Sequence, residues 1–157
     1  MHSRSSLLAH DALADDDSLI EMADQAKNPA IESLANAPFA RVLGIQIESA
    51  ENGASVVRIP RNPSLLNDGG PSVPIHGGAI ASLVDIAACA AVWSLPETRQ
   101  SATISMSVNF TAPGIGTDLI AHANVTRQGR RLAHLTVDVR DDRGDLIADA
   151  LVTYKIA

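Results

Sequence analysis

Fourteen consecutive residues, Ile80 to Trp93, are apolar except at Ser82 and Asp85. With Gly77 to Ala79 in front, this stretch predicts one long helix from Gly77 to Ser94, about 27 Å at 1.5 Å per residue. A helix that is apolar on every side has to be enclosed by other elements. Around it the period is two. "IQIESAE" and "SVVRIP" read as strands joined at Asn52-Gly53, a dipeptide suited to a hairpin because both residues tolerate positive φ. In "TISMSVNF" Ile104, Met106, Val108 and Phe110 alternate with polar neighbours, and in "RLAHLTVDVR" Ala133, Leu135, Val137 and Val139 do so. Turns at "APGIG", "RQGRR" and "DDRGD" separate three or four strands, which read as consecutive antiparallel neighbours, the last two about ten residues long. A ten-residue strand spans about 33 Å, so sheet and helix match in length.

Before Ile45 the pattern is helical. Ser18 and Glu21 have capping-box spacing, Pro29 suits the first turn of a second short helix, and "APFARVLG" reads as a third with Pro38 at its start and Gly44 at its stop. The predicted class is α+β, an antiparallel curved sheet wrapped round one long central helix, with extra N-terminal helices.

Composition narrows the function. The 157 residues carry a net charge of −6, which disfavours nucleic acid and anionic membrane surfaces as partners. One cysteine, Cys89, excludes an intrachain disulfide and fits a reducing compartment. With no apolar run of signal-peptide or transmembrane length, the expected location is cytoplasmic. The histidines lack metal-ligand spacing, and no cofactor is expected.

Asp85 is the one ionisable group in the central helix, and an unpaired buried carboxylate costs several kcal/mol. It has to be paired, neutralised or opened to a wet site. It stands three residues from Ser82 and four from Cys89, so the three share a narrow stripe. A structural tie to a loop is one reading of Asp85 and a functional carboxylate is the other. The start of the helix favours the second: Gly77 and Gly78 leave free N–H groups unobstructed at a helix N-terminus, where a developing oxyanion can be held.

The stretch "NDGGPSVPIHGGAIASLVDIAACAA" resembles the signature of PaaI-type hotdog-fold acyl-CoA thioesterases, a branch that includes 4-hydroxybenzoyl-CoA thioesterases. The likeness runs from Phe39 and includes "PFARVLGI", an acid eight residues after the first glycine of HGG, "VNFTAPG" and "TRQGRR". It implies a hotdog thioesterase domain, residues 37–157, and leaves outside it residues 1–36, read above as an N-terminal helical extension. It implies a homodimer, or a dimer of dimers, with active sites at the subunit interface, where Asp85 of one chain meets Gly77 of the other. By the same resemblance Gly77 polarises the thioester carbonyl, Asp85 is nucleophile or general base, and Thr103 positions the water or the carboxylate. His76 begins the motif, and Asn67 contacts the water or carbonyl. "GGPSVP" makes the interval from Asn67 to His76 longer than the family's, so the Asn67 assignment is the least direct.

Gly78 and Ser82 flank the expected substrate site, and Arg127, Arg130 and Arg131 supply a local basic patch for the phosphates of coenzyme A, with Arg58 and Arg61 as weaker candidates. The expected activity is hydrolysis of acyl-CoA thioesters. Two other readings are an enoyl-thioester hydratase or dehydratase on the same fold, which lacks its H-F-P-G-type loop here, and a non-catalytic acyl-CoA binding module. Cys89, Trp93 and Tyr154 read as packing residues.

Overall fold

The computed structural model describes residues 28–70, 72–96 and 101–156. The Ser18–Glu21 capping box lies outside the described residues. Helix α1 is Pro29–Ala35, with Asn28 as its N-cap and proline in its first turn, and α2 is Pro38–Leu43, ended by Gly44 at φ 72°. Both short helices stand where the prolines and glycine put them.

Strands β1 (Gln46–Glu51) and β2 (Ala54–Ile59) form the first hairpin, with φ 50° at Asn52 and 81° at Gly53. Two left-handed residues in a two-residue loop match the right-handed twist of the strands. A Cβ on Gly53 would stand 3.0 Å from Leu95 Cδ2 and 3.3 Å from Val125 Cβ. Gly53→Ala is therefore expected to destabilise the fold by about 1–3 kcal/mol, from the positive φ together with that crowding, read as a lower urea midpoint at unchanged m-value.

Helix α3 spans Gly77–Trp93, and it is followed by β3 (Ser101–Phe110), β4 (Leu119–Gln128), β5 (Leu132–Asp141) and β6 (Leu146–Ile156). The six strands form one antiparallel sheet in the order β1-β2-β4-β5-β6-β3. Its inner face wraps α3, which touches every strand and also α1. Ten residues of α3 are buried, among them Leu83, Val84, Ala87 and Val92, and they pack on Val57, Leu119, Leu135 and Val137. Burying that surface is the main stabilising term of the domain. Polar ties fix the helix lengthwise: Ser55 Oγ donates to the Ala87 carbonyl at 2.7 Å, and Ser94 Oγ accepts from the Gly53 N–H at 2.9 Å.

Two expectations need correction. β3 and β4 are not neighbours: β3 pairs with the last strand, β6, and β4 slots between β2 and β5. The "APGIG" segment is a crossover, not a hairpin turn; on its way the Ile75 N–H donates to the Gly114 carbonyl and Ile115 bridges Pro74. Enclosing α3 from both sides requires such a crossover, because a meander grows from one edge only. The alternation along β3 is also interrupted. Its register against β6 shifts between Thr103 and Ser105, leaving Ile104 as the extra residue of a bulge. Thr103, out of phase with Met106, Val108 and Phe110 by simple counting, is thereby turned to the same inner face.

Candidate active site

β3 ends the sheet, and its inner face is only partly covered. Met106 is 37% exposed, Phe110 56% and the bulged Ile104 57%, although Val152, Ala150 and Ala148 opposite this strand are buried. Alongside this open edge runs α3. A Cβ on Gly77 would lie 3.5 Å from the Phe110 ring, Thr103 Oγ1 donates to Asp85 Oδ1 at 2.6 Å, and Trp93 Nε1 donates to Ser101 Oγ at 2.6 Å. Helix and strand thus pass each other antiparallel.

Asp85 is half-buried, reached from the open edge and held by the Thr103 hydroxyl. The bulge at Ile104 makes this bond possible. One turn further on, Cys89 is half-buried beside Tyr154, and burial pushes its thiol up to about 11 despite the neighbouring Tyr154 hydroxyl. The thiol therefore stays protonated and is a poor nucleophile.

At the N-terminus of α3 the HGG sequence explains itself. His76 Nδ1 accepts from the Gly78 N–H at 2.9 Å, so the imidazole caps the helix. A Cβ on Gly78 would come within 2.9 Å of that same Nδ1, which is why the position has none. Since Nδ1 accepts, the proton of the neutral ring sits on Nε2. Among the described residues no acceptor takes the Gly77 N–H. That donor points out of the helix end with the positive end of the helix dipole behind it.

Asn67 is tied by its backbone to the segment before HGG. Its N–H donates to the Pro74 carbonyl at 3.1 Å, Leu66 bridges Ile75, and the His76 N–H donates to the Leu65 carbonyl at 2.7 Å. Asn67 thus stands across from Pro74, two residues before HGG, and Leu65 stands across from His76. Ser82 turns its hydroxyl to the Gly78 carbonyl at 2.8 Å and lines, with His76, Gly78, Phe39, Leu43 and Leu66, a groove of about 360 Å³. Its hydroxyl is thus occupied within the helix.

The predicted residues fall into three places. Asp85 and Thr103 are together. His76, Gly77, Gly78 and Ser82 stand at the helix start, Asn67 lies opposite Pro74 on the segment before it, and Gly77 and Asp85 are about 12 Å apart along the axis. Arg127, Arg130 and Arg131 are exposed around the β4–β5 tip, where they line a shallow hollow with His134. Thr103, Tyr154, Ala133 and Gln128 form one cross-strand row. The arginine tip lies just beyond that row, about 15 Å from Thr103 across three strand spacings. Arg58 is not available as an anion site: it is engaged by Glu48 and by Asp118 at 3.2 Å. The Arg61 N–H donates to the same Asp118.

The family model of the thioesterase superfamily matches residues 75–148. Acyl-coenzyme A thioesterase 13 of Pongo abelii is 31% identical over 113 residues, covering 70% of this chain and 79% of that protein. This chain belongs to the thioesterase superfamily. Medium/long-chain acyl-CoA thioesterase YigI of Escherichia coli K12 is 29% identical to this thioesterase over 133 residues, 76% of this chain and 85% of that one. The solved structure of the E. coli PaaI protein from the phenylacetic acid degradation operon superposes with a TM-score of 0.70 at 26% identity, over 82% of this chain and 90% of that one. The fold is the hotdog of the PaaI type, and the protein is an enzyme of thioester hydrolysis. Among the described residues no helix of the thioesterase is long and apolar enough to cross a membrane.

Proposed function

We propose that the protein hydrolyses acyl-CoA thioesters at sites shared between two copies of the chain, each built from Asp85 and Thr103 of one subunit and Gly77 of the other. The observation that carries this reading is the pairing of Asp85 with Thr103 on the open β3 edge, with a free Gly77 N–H about 12 Å away on the same helix. One chain cannot bring both to one carbonyl. Two can: if β3 pairs antiparallel with its copy about an axis near Met106 and Ser107, Thr103 stands opposite the partner subunit's Phe110, the residue beside Gly77. The same pairing covers the exposed inner face of β3 and satisfies its unpaired backbone edge.

In that site the Gly77 N–H of one subunit holds the thioester oxygen, favouring the negative charge that develops there. Asp85 of the other, oriented by Thr103, attacks the carbonyl carbon or takes a proton from the water that does. As the carbon–sulfur bond breaks, the general-base route returns the proton held by Asp85 to the coenzyme A thiolate, and the nucleophilic route leaves a mixed anhydride on Asp85 that water hydrolyses to free acid and carboxylate, the thiolate taking its proton from solvent. In this account Asn67 and the Nε2–H of His76 contact the carbonyl or the water, and Gly78 leaves room for the substrate. The groove at Phe39, Leu43 and Leu66 suits an apolar acyl group, a reading supported by the medium/long-chain specificity in the name of the E. coli relative. In this account residues 1–36 are an N-terminal extension to the hotdog domain of residues 37–157, the location is the cytoplasm, and the assembly is a homodimer or a dimer of dimers.

Initial-rate thiol release from short, medium and long acyl-CoAs and from phenylacetyl- and hydroxybenzoyl-CoA tests the activity. Turnover is expected; folded protein that binds these thioesters without releasing thiol would instead be a binding module, and hydration of a 2-enoyl-CoA a hydratase. The arginine tip gives a separate expectation. Arg130→Ala with Arg131→Ala is expected to raise KM for acyl-CoA about tenfold at low salt with kcat nearly unchanged, because removing ground-state ion pairs removes uniform binding. The difference should shrink as salt is added.

A further inference from the structure

The cations of this chain are unevenly paired. Arg58, Arg140 and Arg143 each stand in an ion pair, whereas among the described residues Arg127, Arg130, Arg131 and Lys155 stand in none. These side chains also stand together. The three arginines line the hollow at the β4–β5 tip with Leu132 and His134, and Lys155 is the direct cross-strand partner of Leu132, so the two share the outer face of the sheet. The Ile156 N–H donates to the Arg131 carbonyl at 3.0 Å, which ties the tip to the end of β6. Like charges gathered without a counter-charge repel one another, and a multiply charged anion removes that cost. On its other side Lys155, exposed, pairs with Ala102, the residue before Thr103. Lys155 therefore lies between the arginine hollow and the strand that carries Thr103.

Distance decides which active site this patch serves. An extended arm from the thioester carbon to the first phosphate of coenzyme A covers about 17 Å, the reach of about five extended residues. The tip is about 15 Å from Thr103 of its own chain, across three strand spacings. In the paired sheet the partner subunit's tip is four spacings across and about six residues along, about 28 Å from the same Thr103. Only the nearer patch is within reach of a thioester held at Asp85.

We propose that each active site takes its phosphate-binding side chains, Arg127, Arg130, Arg131 and Lys155, from the subunit that supplies Asp85, while the other subunit supplies the Gly77 oxyanion donor. Lys155 thereby joins the arginines as a substrate-binding residue. Losing a phosphate contact on one chain then weakens binding at the site built on that chain's own Asp85. The inference rests on the proposed sharing of Asp85 and Gly77 between two chains.

The test uses heterodimers of full-length chains, one carrying Asp85→Asn and the other Gly77→Pro, which leaves one complete site per dimer. Arg130→Ala, Arg131→Ala and Lys155→Ala are added together to one chain or to the other. Steady-state thiol release is then measured at low salt with the best acyl-CoA of the panel and with the matching S-acyl pantetheine, which has no phosphate. With the acyl-CoA, KM is expected to be about tenfold higher when the three changes are on the chain that keeps Asp85 than when they are on the chain that keeps Gly77. Added salt should shrink that ratio, and the pantetheine thioester should bring it near one. Equal KM values from the two placements, or a higher KM from the Gly77 chain, would overturn the proposal. A tenfold ratio that persists with the pantetheine thioester would overturn it as well, because the changes would then act through the fold and not through phosphate. Lys155→Ala alone on the Asp85 chain is expected to raise KM about threefold, the effect of one exposed ion pair, and an unchanged KM would overturn its place in the patch. An active heterodimer with equal KM values sinks this inference alone, and one as inactive as its parents before any tip change sinks the shared site with it.

Discussion

Asp85→Asn is expected to lower kcat for acyl-CoA hydrolysis by about 10²- to 10⁴-fold, the range assigned to a general base, and by more if the carboxylate is the nucleophile. The substitution changes little else. Asn has the same shape, and its side-chain oxygen can still accept the Thr103 hydrogen that Asp85 Oδ1 accepts at 2.6 Å. What is lost is the charge and the second basic oxygen. Because the site is half-buried in an otherwise apolar helix, replacing an anion with a neutral amide lowers the desolvation cost there. The thermal midpoint should hold or rise while turnover collapses, the separation expected of a residue kept for chemistry at some cost to stability. Thiol release and a thermal melt on the same preparation read both quantities.

Gly77→Pro is the second large effect, expected at about 10²- to 10³-fold in kcat, the cost of one oxyanion-hole donor. Proline at the first helical position keeps the helix start, because the N–H it lacks has no intrahelical acceptor. His76 before it has φ −60° and ψ 134°, an extended conformation that a following proline favours. A side chain at this position would meet the Phe110 ring at 3.5 Å, ordinary contact. The variant therefore deletes one hydrogen-bond donor and leaves the backbone path alone. A normal circular dichroism spectrum with turnover reduced to this degree supports the role of the N–H, and unchanged turnover places the oxyanion elsewhere.

Much of this architecture is written in local chemistry. Pro38 and Gly44 bracket α2, Asn52 and Gly53 make the β1–β2 turn, and the apolar run from Ile80 to Trp93 demands the enclosing sheet. Pairing of β3 with β6 is different in kind, because the two strands are separated by the whole β4–β5 hairpin and nothing in either one names its partner. The bulge at Ile104 is equally silent, since one extra residue in an alternating strand leaves the pattern of apolar and polar letters intact. Thr103 was legible by resemblance alone, and its orientation depends on that bulge. The long interval before His76 hides a backbone tie as well, since the Asn67–Pro74 hydrogen bond joins positions seven apart in sequence.

The shared site is the central claim, and mixing two inactive proteins tests it most directly. Asp85→Asn and Gly77→Pro chains, carried on different affinity tags, are co-expressed and the doubly tagged species is isolated. Each such dimer would combine Asp85 from one chain with Gly77 from the other in one site and both lesions in the second. The account predicts that the purified heterodimer recovers about half of wild-type kcat per dimer, from parents that are each nearly inactive. A heterodimer as inactive as its parents would show that Asp85 and Gly77 do not meet across an interface.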